Sequence, residues 1–293
     1  MHVLLTGGTG ALGRFIAAGL LEAGHAVSFL GRTQPEDPRI AFIAWDLSAP
    51  DIDLPAADAL VHCALAHVPG RYRGGEGDDP AGFLLANVDG TRKLFQAAKT
   101  AGVRHCVFLS SRAVYADNGQ WEVLTETAQV RPDTLYGQVK LAGEEALRAL
   151  CIEHFFGTTL RATGIYGLPP GAATHKWSEL FSNFRNGATV MPRVGTEVHG
   201  DDLAAAVLLV LEKVDERAVP YEVYNVSDLL LDRQDLLKLF AEATGCQTAL
   251  PPRAAGPVGV MEPGKLKVLG WAPGGMGKLR EFVEAVAASG EAD

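Results

Sequence analysis

Tyr136-Gly137-Gln138-Val139-Lys140 places a phenol and an ammonium four positions apart, on one face if the segment is helical. A phenol titrates near ~10, too high for efficient base work at neutral pH. A neighbouring ammonium stabilises the phenolate. Tyr136 can then exchange a proton with a substrate hydroxyl or carbonyl, and Lys140 can also hold a ribose. The same spacing alone equally suits a packed Tyr beside a surface Lys. Ser110-Ser111 closes an apolar strand-like run, Arg104–Leu109. Open α/β sheets place ligands at such carboxyl ends, where a Ser hydroxyl can hydrogen-bond the reacting oxygen.

A third pattern binds rather than reacts. Gly7-x-x-Gly10-x-x-Gly13 directly follows the first strand-like run, Val3–Thr6, and opens a helical stretch, Arg14–Ala23. Glycines there allow a tight turn and bring backbone N–H groups close to a diphosphate, beside the positive end of the helix. The next strand ends Phe29-Leu30-Gly31-Arg32-Thr33 with no carboxylate. An acidic residue there would suit NAD, and an Arg suits the 2′-phosphate of NADP. Arg32 therefore points to NADP over NAD, the alternative being a solvated strand end.

Strands and helices must alternate to position these groups, and the pattern does so. Strand-like runs fall at Ala26–Leu30, Ile40–Ala44, Ala59–Ala64 and Thr158–Leu160. Phe83–Thr100 reads as one long helix and Tyr136–Leu150 as another. This alternation predicts a doubly wound parallel α/β (Rossmann) sheet with helices on both faces. After Gly167 the texture changes, which predicts a smaller, partly interleaved C-terminal substrate lobe. The expected division is 1–167 for dinucleotide binding, with 201–227 returning to it, and 168–200 plus 228–293 for the lobe. Asp201–Lys213 and Leu279–Ala288 read as helices, and Tyr221–Val226 as a strand. The Gly-rich Val68–Pro80 stretch is a long loop of the kind that forms lids.

Composition agrees. The chain has 293 residues, 47% hydrophobic and 21% charged, enough for a full core. Its 33 glycines are about 11%, against a usual ~7%. With 26 Lys and Arg against 35 Asp and Glu, the net charge of −9 argues against a nucleic-acid partner. No apolar run approaches the ~20 residues of a membrane span, and no signal peptide is evident. Cys63, Cys106, Cys151 and Cys246 lack metal-ligand spacing, so no metal is expected, and buried thiols in a reducing cytoplasm are the reading. A small molecule is the expected partner.

Thr6–Gly13, Ser110-Ser111-Arg112-Ala113-Val114-Tyr115 and Tyr136–Lys140 together resemble an extended short-chain dehydrogenase/reductase, the NAD-dependent epimerase/dehydratase family. Further stretches resemble it through most of the chain: Asp46-Leu47, Asn87-Val88-Asp89-Gly90-Thr91, Leu160-Arg161 to Tyr166-Gly167, His199-Gly200-Asp201-Asp202 and Leu269-Gly270-Trp271-Ala272-Pro273. The resemblance implies Ser111 as the catalytic Ser, four residues before Tyr115, with Tyr136 as general acid/base and Lys140 as its partner. It implies cofactor contacts at Gly7, Gly10, Ala11, Leu12, Gly13, Arg32, Asp46, Leu47 and Asn87. It also implies hydride transfer between a nicotinamide and a carbonyl or alcohol carbon, and a homodimer.

Two positions depart from nucleotide-sugar members. Gly164 stands where they carry Asn, and Gly195 where they carry a diphosphate-clamping Arg. Arg71, Arg73, Arg185 or Arg193 are loop cations that can compensate, or simple surface charges. The leading reading is an NADP-linked oxidoreductase of a small, sugar-like carbonyl or alcohol. The alternatives are a nucleotide-sugar epimerase or dehydratase and, less well supported, a non-catalytic NADP sensor. Glu144-Glu145 reads as solvated helix surface and His62 as a core histidine. His67 can face substrate, and Trp177 with Phe181 reads as lobe packing.

Overall fold

The computed structural model describes residues 1–49, 52–68, 71, 74–115, 122–216 and 218–289. Strands β1 (His2–Thr6), β2 (Ala26–Gly31), β3 (Ile40–Ala44), β4 (Ala59–His62) and β5 (His105–Ser111) alternate with helices in the first half. β6 (Glu122–Leu124), β7 (Phe156–Ala162), β8 (Gly164–Tyr166), β9 (Val194–His199), β10 (Tyr221–Val226), β11 (Leu229–Asp232) and β12 (Gly259–Met261) follow. The helices are α1 (Ala11–Glu22), α2 (Pro80–Leu84), α3 (Gly90–Thr100), α4 (Leu135–Leu150), α5 (Ser178–Arg185), α6 (Gly200–Glu212), α7 (Arg233–Thr244), α8 (Gly264–Leu269) and α9 (Gly275–Ser289).

Seven strands form one sheet in the order β10-β7-β5-β4-β1-β2-β3, and every pairing within it is parallel. The doubly wound sheet read from the alternation is the one observed. Side chains alternate between its faces. Val3 and Leu5 join Val107, Leu109, Ile16, Val207 and Val210 on one side. Leu4 joins Cys106, Phe108, Leu94, Phe95 and Leu147 on the other. The strand order reverses between β1 and β4, so a crevice opens beyond their carboxyl ends.

Phe83–Thr100 is not one helix. α2 and α3 are joined by a π-helical turn, Leu85–Asp89, which resets the phase of the side chains. A Cβ on Gly90 would collide with the Leu47 carbonyl oxygen, so only glycine lets α3 start this close to the segment after β3. Asp79 caps α2 by accepting from the Gly82 N–H at 2.8 Å. Thr134 caps α4 through the Gly137 N–H at 3.1 Å, fixing where Tyr136 leaves the first turn.

A second core gathers Tyr166, Trp177, Phe181, Phe240 and Phe282. Phe181 stacks on Phe240 at 4.2 Å between centroids, and Tyr166 on Trp177 at 5.1 Å. β8, β9 and β11 form a three-stranded sheet beside it. Trp271 instead packs with the large sheet's core and donates its indole N–H to Asp202 O at 2.8 Å. None of the described helices is long and apolar enough to cross a membrane.

Candidate active site

One cavity of about 290 Å³ runs along the carboxyl edge of the sheet. The glycine loop after β1 lines it. Gly7 has φ +70, and a Cβ there would lie 2.8 Å from Ala64 N. A Cβ on Gly13 would collide with Gly7 O and Gly8 Cα. Gly10 N–H donates to Gly7 O at 3.0 Å, closing the turn. The loop is therefore pressed against the end of β4 on one side and its own helix on the other. Gly13→Ala, which must displace the loop, is expected to weaken dinucleotide binding at least about tenfold, at an overpacking cost of about 1–3 kcal/mol. Calorimetric titration with NADPH and NADH checks this, and unchanged binding would contradict it.

Beneath the loop lies a buried hydrogen-bond relay. Thr6 Oγ1 accepts from the Cys63 and Ala64 N–H groups, each at 3.2 Å. Its own hydrogen is therefore directed to His62 Nδ1, at 2.6 Å, which assigns the proton of the ring to Nε2. Nε2–H then donates to Thr91 Oγ1 at 3.0 Å. Burial pushes the His62 imidazole down to about 3, so it stays neutral: a core histidine that fixes the β4 end, as its apolar context indicated.

Every glycine-loop residue read as cofactor-binding, Gly7, Gly10, Ala11, Leu12 and Gly13, lines the cavity. So do Arg32, Asp46 and Leu47 at its far end. Arg32 Nε stands 3.6 Å from Asp46 Oδ2, a loose contact with the Arg side chain 81% exposed. Hydrogen bonds from Ser48 hold the Asp46 carboxyl below its ordinary value, with Arg32 adding to the effect. Asn87 stands one layer back. Its Nδ2 donates to Ala66 O at 2.9 Å and Phe83 O at 2.8 Å, and its Oδ1 accepts from Ala66 N at 2.8 Å. It fixes the Ala64–His67 segment, which lines the cavity.

At the other end the cavity is lined by Ser111, Tyr136 and Lys140. Lys140 is buried and its Nζ donates to Leu109 O at 2.8 Å. The ammonium lies 5.8 Å from the centre of the Tyr136 ring and 5.1 Å from that of Phe108. Burial pushes its pKa down to about 8, with Cys63 and Glu144 opposing that shift. Ser111 Oγ accepts from Ala113 N–H at 3.2 Å, so its hydroxyl hydrogen can serve a reacting oxygen. Ser111 and the Tyr136–Lys140 pair, read from two separate segments, thus line one cavity.

Ser110 faces a different task. Its Oγ donates to Glu144 Oε1 at 2.5 Å. Arg161 grips the same carboxylate through Nη2 at 2.7 Å and Nε at 3.0 Å, and its Nη1 donates to Tyr115 OH at 2.9 Å. Tyr115 OH donates on to Asn225 Oδ1 at 2.7 Å. Glu144 is therefore not solvated surface, as its neighbour Glu145 is; it is 4% exposed. The reason is Arg161 on β7, equally buried, whose charge it neutralises.

Sequence reasoning missed Thr163 and Ile165, which line the cavity just after β7. The strand-end rule that singled out Ser111 also reaches them. Gly164 faces elsewhere: a Cβ there would come 2.5 Å from Lys176 Nζ and 2.5 Å from Glu197 Oε2, which form an ion pair. A Cβ on Gly195 would meet nothing within 4 Å. Arg71 and Arg193 are exposed, Arg185 packs over the Phe240 ring, and Arg73 lies outside the described residues. Among the described residues no His, Cys, Asp and Glu cluster could hold a metal. No disulfide links the four cysteines.

A groove at the strand-order reversal, floored by glycines that a Cβ would block, suits an extended diphosphate-bridged dinucleotide. The chain matches the model of the NAD dependent epimerase/dehydratase family over residues 3–227. It is 26% identical over 276 residues to a UDP-glucose 4-epimerase of Mus musculus, covering 84% of this chain and 76% of that protein. It is 28% identical over 257 residues to a 3 beta-hydroxysteroid dehydrogenase/Delta 5→4-isomerase of Mycobacterium tuberculosis, covering 78% of this chain and 65% of that protein. Among solved structures, MoeE5 in complex with UDP-glucose and NAD superposes with a TM-score of 0.79 at 25% identity, covering 99% of each chain.

Proposed function

This chain belongs to the NAD dependent epimerase/dehydratase family, and from that we propose that it transfers hydride, with net oxidation or reduction, between NADP and a small carbonyl or alcohol. It is an enzyme of the extended short-chain dehydrogenase/reductase type. The observation that carries the proposal is the single cavity shared by the glycine loop, Ser111, Tyr136 and Lys140.

When bound, the nicotinamide supplies or accepts the hydride. Tyr136 Oη gives the proton to the carbonyl oxygen as its carbon takes up hydride, and takes it back in the oxidative direction. Ser111 donates a hydrogen bond to that oxygen and sets its orientation. Lys140, a buried cation beside the Tyr136 ring, lowers the cost of the phenolate that remains. Asn87 keeps the Ala64–His67 wall in place. The absence of a carboxylate at the end of β2, with Arg32 there instead, supports NADP over NAD.

Net redox is favoured over nucleotide-sugar epimerisation because two side chains that nucleotide-sugar members carry, an Asn and a diphosphate-clamping Arg, are absent. Gly164 offers no side chain and its space holds the Lys176–Glu197 pair. Gly195 offers none either, and a phosphate anion calls for Arg-type donors. We assign substrate selection to 168–200 and 228–293, and the dinucleotide to 1–167 with 201–227. A cytoplasmic setting suits the absence of disulfides, and a homodimer is the assembly the family resemblance suggests, to be read by light scattering.

The direction of the Lys140 shift gives a pH expectation. Its ammonium is present below about 8 and lost above. In the reductive direction, which needs Tyr136 protonated beside a cation, kcat/KM falls as pH rises through about 8. In Lys140→Met that limb disappears and the residual rate is lower. A profile with the same limb in both proteins would contradict the assignment. NADPH consumption tested across small aldehydes and ketones, beside UDP-glucose, separates the two substrate readings.

A further inference from the structure

A second cavity, about 390 Å³, adjoins the Arg32 end of the cofactor groove. The two share Gly8, Thr9, Phe29 and Thr33. Those residues belong to the glycine loop and the end of β2, the places where a Rossmann fold meets the diphosphate and the adenosine ribose. A substituent on that ribose therefore has a route into the second cavity.

Arg14, on α1, lines this cavity. Its Nε donates to Thr9 O at 3.1 Å and its Nη1 to Pro170 O at 3.0 Å. Both partners are neutral carbonyls, and among the described residues no ion pair takes up its charge. Arg39 lines the same cavity, but Asp37 cancels it through contacts of 2.5 to 3.1 Å. Glu36, exposed at the rim, is the remaining carboxylate. Arg14 is thus a guanidinium fixed in place and uncompensated, beside the hydroxyl-bearing Thr9 and Thr33.

We propose that the second cavity receives the phosphomonoester on the cofactor's adenosine ribose, with Arg14 as its fixed cation and Arg32 as the cation that closes from the groove side. The proposal rests on the NADP reading and adds to it a residue inside a helix, away from the strand end where such a cation is sought. A prefixed guanidinium loses less side-chain freedom on binding a dianion than a loose one. Arg14 also ties the Pro169–Gly171 turn to the glycine loop, so a phosphate here would touch the turn that leads into the lobe.

The test is calorimetric binding of NADPH and NADH to wild type, Arg14→Gln, Arg14→Lys and Arg32→Ala. Wild type is expected to prefer NADPH. Arg14→Gln is expected to lose about tenfold or more in NADPH affinity with NADH affinity unchanged, the loss of one charge-assisted contact. Arg14→Lys recovers part of it, and added salt weakens NADPH binding more than NADH binding. Unchanged NADH affinity also shows that Arg14→Gln is folded. If Arg14→Gln keeps the wild-type preference while Arg32→Ala loses it, the Arg14 assignment is wrong and the NADP reading stands. If both cofactors weaken equally in Arg14→Gln, the residue only holds the glycine loop, and the proposal is overturned. If wild type has no preference, both readings fall.

Discussion

Tyr136→Phe lowers kcat by about 10²–10⁴-fold, the usual worth of a positioned proton donor, while NADPH binds as before. The phenyl ring remains beside Lys140, whose ammonium sits 5.8 Å from the ring centre and donates its hydrogen bond to Leu109 O. The substitution keeps that ring contact and removes the proton. Binding measured by calorimetry and turnover measured at saturating cofactor separate the two. A variant with near-wild-type kcat would mean that another group delivers the proton. A variant that no longer binds NADPH would mean that the hydroxyl holds the groove together.

Glu144→Ala has the largest effect on stability. Ser110, Glu144 and Arg161 are each 5% exposed or less, and the Arg161 guanidinium spends its donors on Glu144, Tyr115 and Glu126 O. Removing the carboxylate leaves a buried cation without its counter-charge, at a cost of about 3–5 kcal/mol. For a chain of this size that lowers Tm by roughly 10 °C. Replacing both Glu144 and Arg161 by Met restores much of the loss, because an apolar pair replaces an ion pair with little net cost. Thermal unfolding of the two variants is the check. An unchanged Tm in Glu144→Ala would show that water reaches the pair and that it carries no strain.

These two sites differ in how far the sequence revealed them. Tyr136–Lys140 and Gly7–Gly13 lie within single turns, so spacing alone displays their geometry. Ser111 follows from its place at a strand end. Glu144 does not show itself this way: a Glu one turn past a Lys on a helix looks like solvated charge, and what buries it is Arg161, 17 positions away on β7. Arg14 is hidden for the same reason, since Thr9 O and Pro170 O take its guanidinium only after folding. The large parallel sheet was legible because its strands are apolar runs buried on both faces. β8 and β9 were not, being interrupted by glycine and charge at Gly164, Gly195 and Glu197, and β11 is only four residues long. The π-turn at Leu85–Asp89 was likewise invisible, because periodicity across it still looks helical.

The most direct measurement is NADPH consumption by the purified chain in the presence of a panel of small aldehydes and ketones, run beside UDP-glucose. NADPH should be consumed with at least one carbonyl, one cofactor oxidised per carbonyl reduced, and that consumption should vanish in Tyr136→Phe. Conversion of UDP-glucose to its C4 epimer with no net cofactor change, and no consumption with any carbonyl, would contradict the proposed net redox chemistry and assign this site to nucleotide-sugar epimerisation.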